Sequence, residues 1–223
     1  MYVQPFELAS RPVTNGEVMA FVADGGYQRP ELRLAMGWDW VQAGQHGLPL
    51  YWQAGAKPGG YSNFTLQGLV DLDANTPACH LSFYEADAFA RGSGARLPTE
   101  FEWELAARSL DQSRHSHPNF VENAAYHPLP LQQAGGDGPA QMFGDVWEWT
   151  QSNYNPYPGY KPWEEVVGEY NGKFMCNQFV LRGGSCATPQ SHIRASNAIS
   201  LRRMHAGSSV ACGWPVMPVE AGF

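Results

Sequence analysis

Arg96-Leu97-Pro98-Thr99-Glu100-Phe101-Glu102-Trp103-Glu104 is the stretch on which the reading of this chain turns. Thr99 and Glu102 have the spacing of a capping box, in which the hydroxyl accepts from the backbone N–H three residues on and the carboxylate reaches back to the N–H of the cap. Trp103, Leu105, Ala106 and Ala107 follow, so the spacing predicts a helix that starts just after Thr99. The same device occurs twice upstream. Thr14-Asn15-Gly16-Glu17 precedes Val18, Met19, Phe21 and Val22, with Gly25-Gly26 as a left-handed stop. Ser82-Phe83-Tyr84-Glu85 precedes Ala86, Ala88, Phe89 and Ala90, with Gly92 and Gly94 behind them. Three short capped helices are expected.

Strand signals are weaker. Tyr2 to Leu8 alternates apolar with polar residues, as a half-buried strand does, and Gln178 to Arg182 is a second candidate, stopped by Gly183-Gly184. Residues 44–78, 109–142 and 151–175 read as long turn-rich stretches, of a length that compact domains keep for function or tie down. No internal repeat and no flexible linker interrupts the chain, so its 223 residues read as one domain.

Hydrophobic residues make up 43% and charged residues 16%, enough apolar material for a packed core. Trp 8, Tyr 10 and Phe 11 beside Gly 24 and Pro 17 describe turns pinned by large rings rather than long helices. No window approaches the ~18 unbroken apolar residues of a membrane helix, and the first residues lack the basic and apolar regions of a secretory signal. Cytoplasm is the expected location, with no membrane partner. The net charge of −7, with basic residues scattered, argues against a nucleic-acid partner. Cys79, Cys176, Cys186 and Cys212 show no paired C-x-x-C spacing, so reduced thiols are expected rather than a disulfide framework or a zinc knuckle.

Two further segments join the first. Gly144-Asp145-Val146-Trp147-Glu148-Trp149-Thr150 and Leu181-Arg182-Gly183-Gly184-Ser185, together with the Arg96–Glu104 stretch, resemble in order and spacing the signatures of the formylglycine-generating-enzyme superfamily. The resemblance runs to about Ser196. It implies an irregular α+β domain related to C-type lectins, with short helices, little regular strand and long ordered loops. Residues 8–17, 24–27 and 168–178 resemble more narrowly the C-terminal domain of ergothioneine-pathway sulfoxide synthases, which use non-haem Fe(II) and O₂ to join a thiol to hercynine. The substrate-pocket candidates that follow are Trp149, Tyr170, Arg182, Ser185 and Cys186, and no catalytic residue is expected in this chain.

Metal chemistry divides the possibilities. The two copper-binding cysteines of formylglycine-generating enzymes fall, by position after Ser185, on Thr188 and Ile193, neither of which can be a thiolate. That disfavours a copper-dependent formylglycine-generating oxidase. The iron of the sulfoxide synthases is held, by the same resemblance, by three histidines of a helical-bundle domain, and the chain looks truncated before that partner. Its own histidines, His46, His80, His115, His117, His127, His192 and His205, include no i, i+4 pair of the kind that puts two ligands on one helix face. Fe(II) is therefore not expected here. Relatives bind structural calcium near the second motif, and Gly144, Val146 and Glu148 offer oxygens of the kind Ca²⁺ takes. The competing reading has Glu148 hydrogen-bonded to buried backbone or an indole N–H. Trp103, Trp147 and Trp149 are read as core before substrate platforms.

Family members close with a segment like R-N-F-F-x-P-x-x-R-W-Q-F-x-G-L-R-L-A, which is missing. One permitted back-translation of residues 197–218, read from its third base, encodes R-N-F-F-A-P-D-A-R-W-Q-F-S-G-L-R-L-A-R-D-A. The expectation is a formylglycine-generating-enzyme-like domain over 1–196 and a frame-shifted tail over 197–223, irregular and poorly packed from about Asn197. Two functions remain: the C-terminal domain of an iron sulfoxide synthase acting on hercynine and a thiol, inactive alone, or a non-catalytic binding module on the same scaffold.

Overall fold

In the computed structural model, residues 2–57, 59–110, 118–132, 138–164, 168 and 172–204 are described, together with the backbone of 210–211 and 216–217. All three capping boxes form. They open helices α1 (Asn15–Ala23), α3 (Phe83–Gly92) and α4 (Glu100–Ser109), and Gly25 and Gly94 follow α1 and α3 with φ of 73° and 70°. The N–H of Thr14, Ser82 and Thr99 donates to Glu17, Glu85 and Glu102 at 2.8, 2.8 and 2.7 Å. Two of these glutamates carry a second partner, an arginine three residues before the cap. Arg11 forks onto Glu17 at 2.8 and 3.1 Å, and Arg96 onto Glu102 at 2.9 and 2.6 Å. The Arg-Leu-Pro-Thr sequence thus becomes a helix entry in which a two-toothed ion pair holds the capping carboxylate in place.

One helix was not legible from caps. Helix α2 (Ala35–Gly44) begins after Leu34, whose side chain makes no cap hydrogen bond, and ends with Gln45 in the left-handed region at φ 49°.

The central sheet has four strands among the described residues. Strands β5 (Trp147–Asn153), β6 (Gln178–Gly183) and β7 (Ala198–Arg202) are antiparallel neighbours, and β8 (Val210–Ala211) runs parallel to β5. Trp147, Glu148, Trp149 and Thr150 are buried in succession, so β5 has no alternation by which to be read as a strand. Phe83 at the start of α3 stacks on Phe179 of β6 at 3.8 Å and meets Trp149 edge-on at 5.8 Å. These rings, with Leu81, Leu97 and Leu181, form the main core. A second cluster collects Trp103 and Ala107 of α4 with Phe120, Met142 and Phe143.

The turn-rich stretch expected over 44–78 contains an antiparallel meander, β2 (Trp52–Ala54), β3 (Tyr61–Thr65) and β4 (Gly68–Asp71). The expected strand over Tyr2–Leu8 shortens to β1 (Glu7–Leu8), which pairs with β9 (Val216–Met217). The tail also departs from expectation. Residues from Asn197 are not irregular at their start: Ala198–Arg202 pair residue for residue with β6, from Arg182↔Ala198 to Gln178↔Arg202. The reason is local. Ile199 and Leu201 alternate with Ser200 and Arg202, so two apolar side chains reach the main core while the backbone satisfies the edge of β6.

Candidate functional site

The three sequence motifs meet in one buried polar network. Trp103 of α4 donates its indole N–H to Glu148 Oε2 of β5 at 3.2 Å. Glu148 lies directly across from Arg182 of β6 in the strand register. Arg182 donates through Nη2 to Glu100 Oε2 at 2.8 Å and lies 3.1 Å from Glu104 Oε2, both carboxylates on α4. Its Nη1 reaches the carbonyls of Ala195 and Asn197 at 3.4 Å each. Tyr157 closes the outer side by donating its hydroxyl to Glu100 Oε2 at 2.7 Å. Burial and the Glu100 charge push the Tyr157 phenol up to about 12. Glu148 and Arg182 are 0% and 2% exposed. Two buried charges are tolerated only where each has partners.

The pocket candidates divide accordingly. Trp149 is fully buried and donates its indole N–H to Leu81 O at 2.9 Å, which makes it a core residue. Arg182 is a structural counter-charge between β6 and α4. Ser185 builds a turn, its N–H donating to Thr188 Oγ1 at 3.0 Å and its Oγ accepting from Ala187 N–H at 3.3 Å. Cys186 is buried, with its N–H on Asp145 O at 3.0 Å. Cys79 is buried near it, and burial, followed by the influence of Cys186, pushes the Cys79 thiol up to about 12. Tyr170, His115, His117, His205 and Cys212 lie outside the described residues. Thr188 serves the Ser185 turn, and Ile193 lies over Gly184, where an added Cβ would come within 2.5 Å of Ile193 Cδ1.

Asp145, noticed in the sequence only as an oxygen-bearing residue of the second motif, has a role that sequence reasoning missed. Held at φ 54°, it accepts from Leu129 N–H at 2.8 Å, Asn119 Nδ2 at 2.8 Å and Gln141 Nε2 at 3.0 Å. Burial pushes its carboxyl up against the pull of those donors. It pins the loops before β5, and the only trace in the sequence is an oxygen-bearing residue after Gly144.

Oxygens considered for calcium have partners within the protein. Of the oxygens considered for calcium, the Gly144 carbonyl accepts from Val146 N–H at 2.6 Å and Glu148 Oε2 is engaged by Trp103. Of the two readings of Glu148, the indole-bonded one is the one its Oε2 fulfils. For iron, His46 stacks on Trp40 at 4.0 Å, His80 meets Tyr51 edge-on, His127 sits on the Pro128 carbonyl, and His192 ends the short turn Gln190–His192. Among the described residues no three His, Cys, Asp or Glu side chains converge to hold a metal ion, so these residues do not fit a three-histidine iron site.

A second buried group lies at the base of α3. Tyr27 donates its hydroxyl to Glu85 Oε1 at 2.5 Å, and Arg33 lies over the Tyr27 ring at 4.8 Å. Burial pushes the Glu85 carboxyl up, opposed by the Tyr27 and Ser82 donors and by Arg33. A carboxyl with a raised folded-state pKa contributes stability that is complete below the unfolded pKa and is lost as pH rises through the folded one. Glu85→Gln, which cannot ionise, should therefore compare worst with the parent chain in acid and gain on it as pH rises above the usual carboxyl value of 4.5. Denaturant unfolding at a series of pH values measures this, and parallel stability curves for the two proteins would contradict it.

This assembly, a small antiparallel sheet bound to short capped helices through the three motifs, defines a formylglycine-generating-enzyme-like domain of α+β type. The model of the family described as "Sulfatase-modifying factor enzyme 1-like domain" matches residues 1–210, and the chain belongs to that family. Among individual proteins, the hercynine oxygenase of Mycobacterium tuberculosis is 35% identical over 211 residues, covering 87% of this chain and 48% of that protein. The formylglycine-generating enzyme of Thermomonospora curvata is 28% identical, covering 85% of this chain and 79% of that protein. The structure of PvdO from Pseudomonas aeruginosa superposes with a TM-score of 0.60 at 17% identity, covering 98% of this chain and 82% of that one, a likeness of fold alone. The chain spans about half the length of the hercynine oxygenase it matches. Among the described residues no helix is long and apolar enough to cross a membrane.

Proposed function

We propose that this chain is the formylglycine-generating-enzyme-like domain of an iron-dependent hercynine oxygenase, one that joins a thiol to hercynine in ergothioneine biosynthesis, and that it is inactive alone. The observation that carries the reading is the 35% identity to a hercynine oxygenase, with Thr188 and Ile193 standing where copper-holding cysteines would be needed for the alternative chemistry. The buried Trp103–Glu148 and Arg182–Glu100 pairs serve as scaffold in this reading, and they keep the turn after β6 in place. Iron would come with a partner domain, a helical bundle carrying the three histidines, and cytoplasm is the proposed location.

Supplied with hercynine, a thiol, Fe(II) and O₂, the chain by itself should form no C–S bond, and it should leave a sulfatase-type peptide cysteine unconverted. Mass spectrometry against a no-protein control checks both. Formylglycine above that control would replace this reading with the oxidase, and a C–S product would show that the domain needs no partner.

A further inference from the structure

The chain leaves β5 at Asn153 into a stretch, residues 153–164, in which every residue is exposed. Tyr154, Tyr157, Tyr160 and Trp163 stand there at every third position, with Pro156, Pro158 and Pro162 between them. Hydrogen bonds tie the stretch down. Tyr154 N–H donates to Gln178 O at 2.9 Å, Tyr160 N–H to Tyr157 O at 2.9 Å, and the Tyr157 hydroxyl to Glu100. The second of these closes a four-residue turn, which brings Tyr157 and Tyr160 side by side. Tyr157 also meets the Phe101 ring at 6.4 Å, and Leu105 lies one helical turn from Phe101 on α4. An apolar surface therefore runs from Leu105 through Phe101 and Tyr157 to Tyr160, and the chain carries it on to Trp163. Leu105, Tyr157, Tyr160 and Trp163 are 51%, 56%, 41% and 80% exposed. Single exposed apolar side chains are ordinary, but an adjoining group of this size marks an interaction surface. Large rings offer about 150–250 Å² each, so these side chains present roughly 400–500 Å², enough for the apolar centre of an interface that buries ~800 Å² per partner.

The chemistry of the stretch selects a second copy of this chain as its occupant. Prolines pack on aromatic faces, as in grooves that recognise proline-rich segments, and residues 153–164 hold both halves of that contact. Two copies related by a two-fold axis present the same surface to each other, so each can lay its prolines on the other's rings. Charge agrees. Lys161 and Glu164 flank the most exposed ring, Trp163, and neither has an ion-pair partner among the described residues. Across a two-fold axis, Lys161 of each copy can meet Glu164 of the other. The chain carries a net charge of −7, so two copies repel over most of their surface. Residues 153–164, with one Lys and one Glu, are locally neutral. We propose that the Leu105–Tyr157–Tyr160–Trp163 face is where two copies of this chain pair as a symmetric dimer, with Lys161 and Glu164 fixing the register.

Sedimentation equilibrium of the full chain over a wide range of concentration tests this. A reversible monomer–dimer equilibrium is expected. Tyr160→Ser/Trp163→Ser should weaken it by about 30-fold or more, as loss of central aromatic anchors does, with the melting temperature of the monomer unchanged because both side chains point into solvent. The charge variants decide whether the partner is the same chain. Lys161→Glu and Glu164→Lys should each weaken the dimer by about 10-fold, since each sets like charges against one another. The exchange Lys161→Glu/Glu164→Lys should return the affinity to the wild-type value, because a two-fold interface swaps both sides at once. A wild-type chain that stays monomeric throughout would leave the face to a different protein and overturn the proposal. A dimer that the Tyr160 and Trp163 substitutions leave intact, or an exchange variant no better than the single reversals, would overturn it as well.

Discussion

Replacing Arg182 by methionine should destabilise the domain by about 3–5 kcal/mol, the cost of leaving buried carboxylates without their cation. Arg182 is 2% exposed, and the carboxylates of Glu100 and Glu104 lie 2.8 and 3.1 Å from its Nη2, with Glu148 across the strand register. Methionine fills much of the volume, so the loss is one of charge and hydrogen bonding rather than a cavity. Against a usual total of about 5–15 kcal/mol, such a change leaves the domain marginal. The companion variant Glu100→Gln removes a negative charge, and in Arg182→Met/Glu100→Gln the two losses should add to less than their sum, because the second substitution relieves the unpaired charge made by the first. Urea unfolding of the four proteins measures the cycle. Strict additivity would mean that the two side chains do not act as a pair.

Gly144→Ala should be nearly as damaging, for a reason of space and backbone geometry. Gly144 has φ +85°, and a Cβ there would lie 2.7 Å from Asn119 O and 2.9 Å from Asn119 N. Both are backbone atoms and cannot turn aside. An L-residue in that conformation costs about 1–2 kcal/mol by itself, and forced overpacking adds about 1–3. Displacing Asn119 would also disturb Asp145, whose N–H donates to Asn119 O at 3.0 Å and whose carboxylate takes the Asn119 amide at 2.8 Å. Gly94→Ala is the control: φ is +70° there, but nothing lies within 4 Å of the added Cβ. The Gly94 variant should show the conformational strain alone, and the difference in unfolding free energy between the two isolates the packing cost. Equal losses would mean that the loop at Asn119 yields freely.

What could be read in advance follows from how far apart the interacting groups lie in the chain. The capping boxes at Thr14, Ser82 and Thr99 were legible because donor and acceptor are three residues apart. Strand β5 was not, because Trp147 to Thr150 are buried on both faces and period-two alternation disappears. The meander β2–β4 was hidden by Phe64 and Leu69 facing outward while Ser62 and Asn63 are buried, the reverse of the pattern sought. Strand β7 was misjudged because the segment was compared with a motif it lacks rather than with its own alternation of Ile199 and Leu201. In the candidate site, the indole partner of Glu148 was one of two readings the residues allowed. The pairing of Arg182 with Glu100 could not be seen, since nothing local in either segment specifies a partner 82 residues away.

The network joining the three motifs also bears on how the chain reaches its fold. Trp103–Glu148, Trp149–Leu81 and Arg182–Glu100 span 45, 68 and 82 residues. Closing loops of that length costs entropy before the contacts can repay it, which slows folding in proteins dominated by distant pairings. A nascent chain that has emerged only as far as Glu148 already holds Trp103, the indole partner of Glu148, but has no Arg182 to receive Glu100 and Glu104, so those two carboxylates stay in water. The helices can form early from their own caps, but assembly waits for the strand that carries Arg182. Until β6 is made, Phe83 of α3 also lacks Phe179, the ring it stacks on in the fold, which leaves an apolar surface open to other chains while the polypeptide grows.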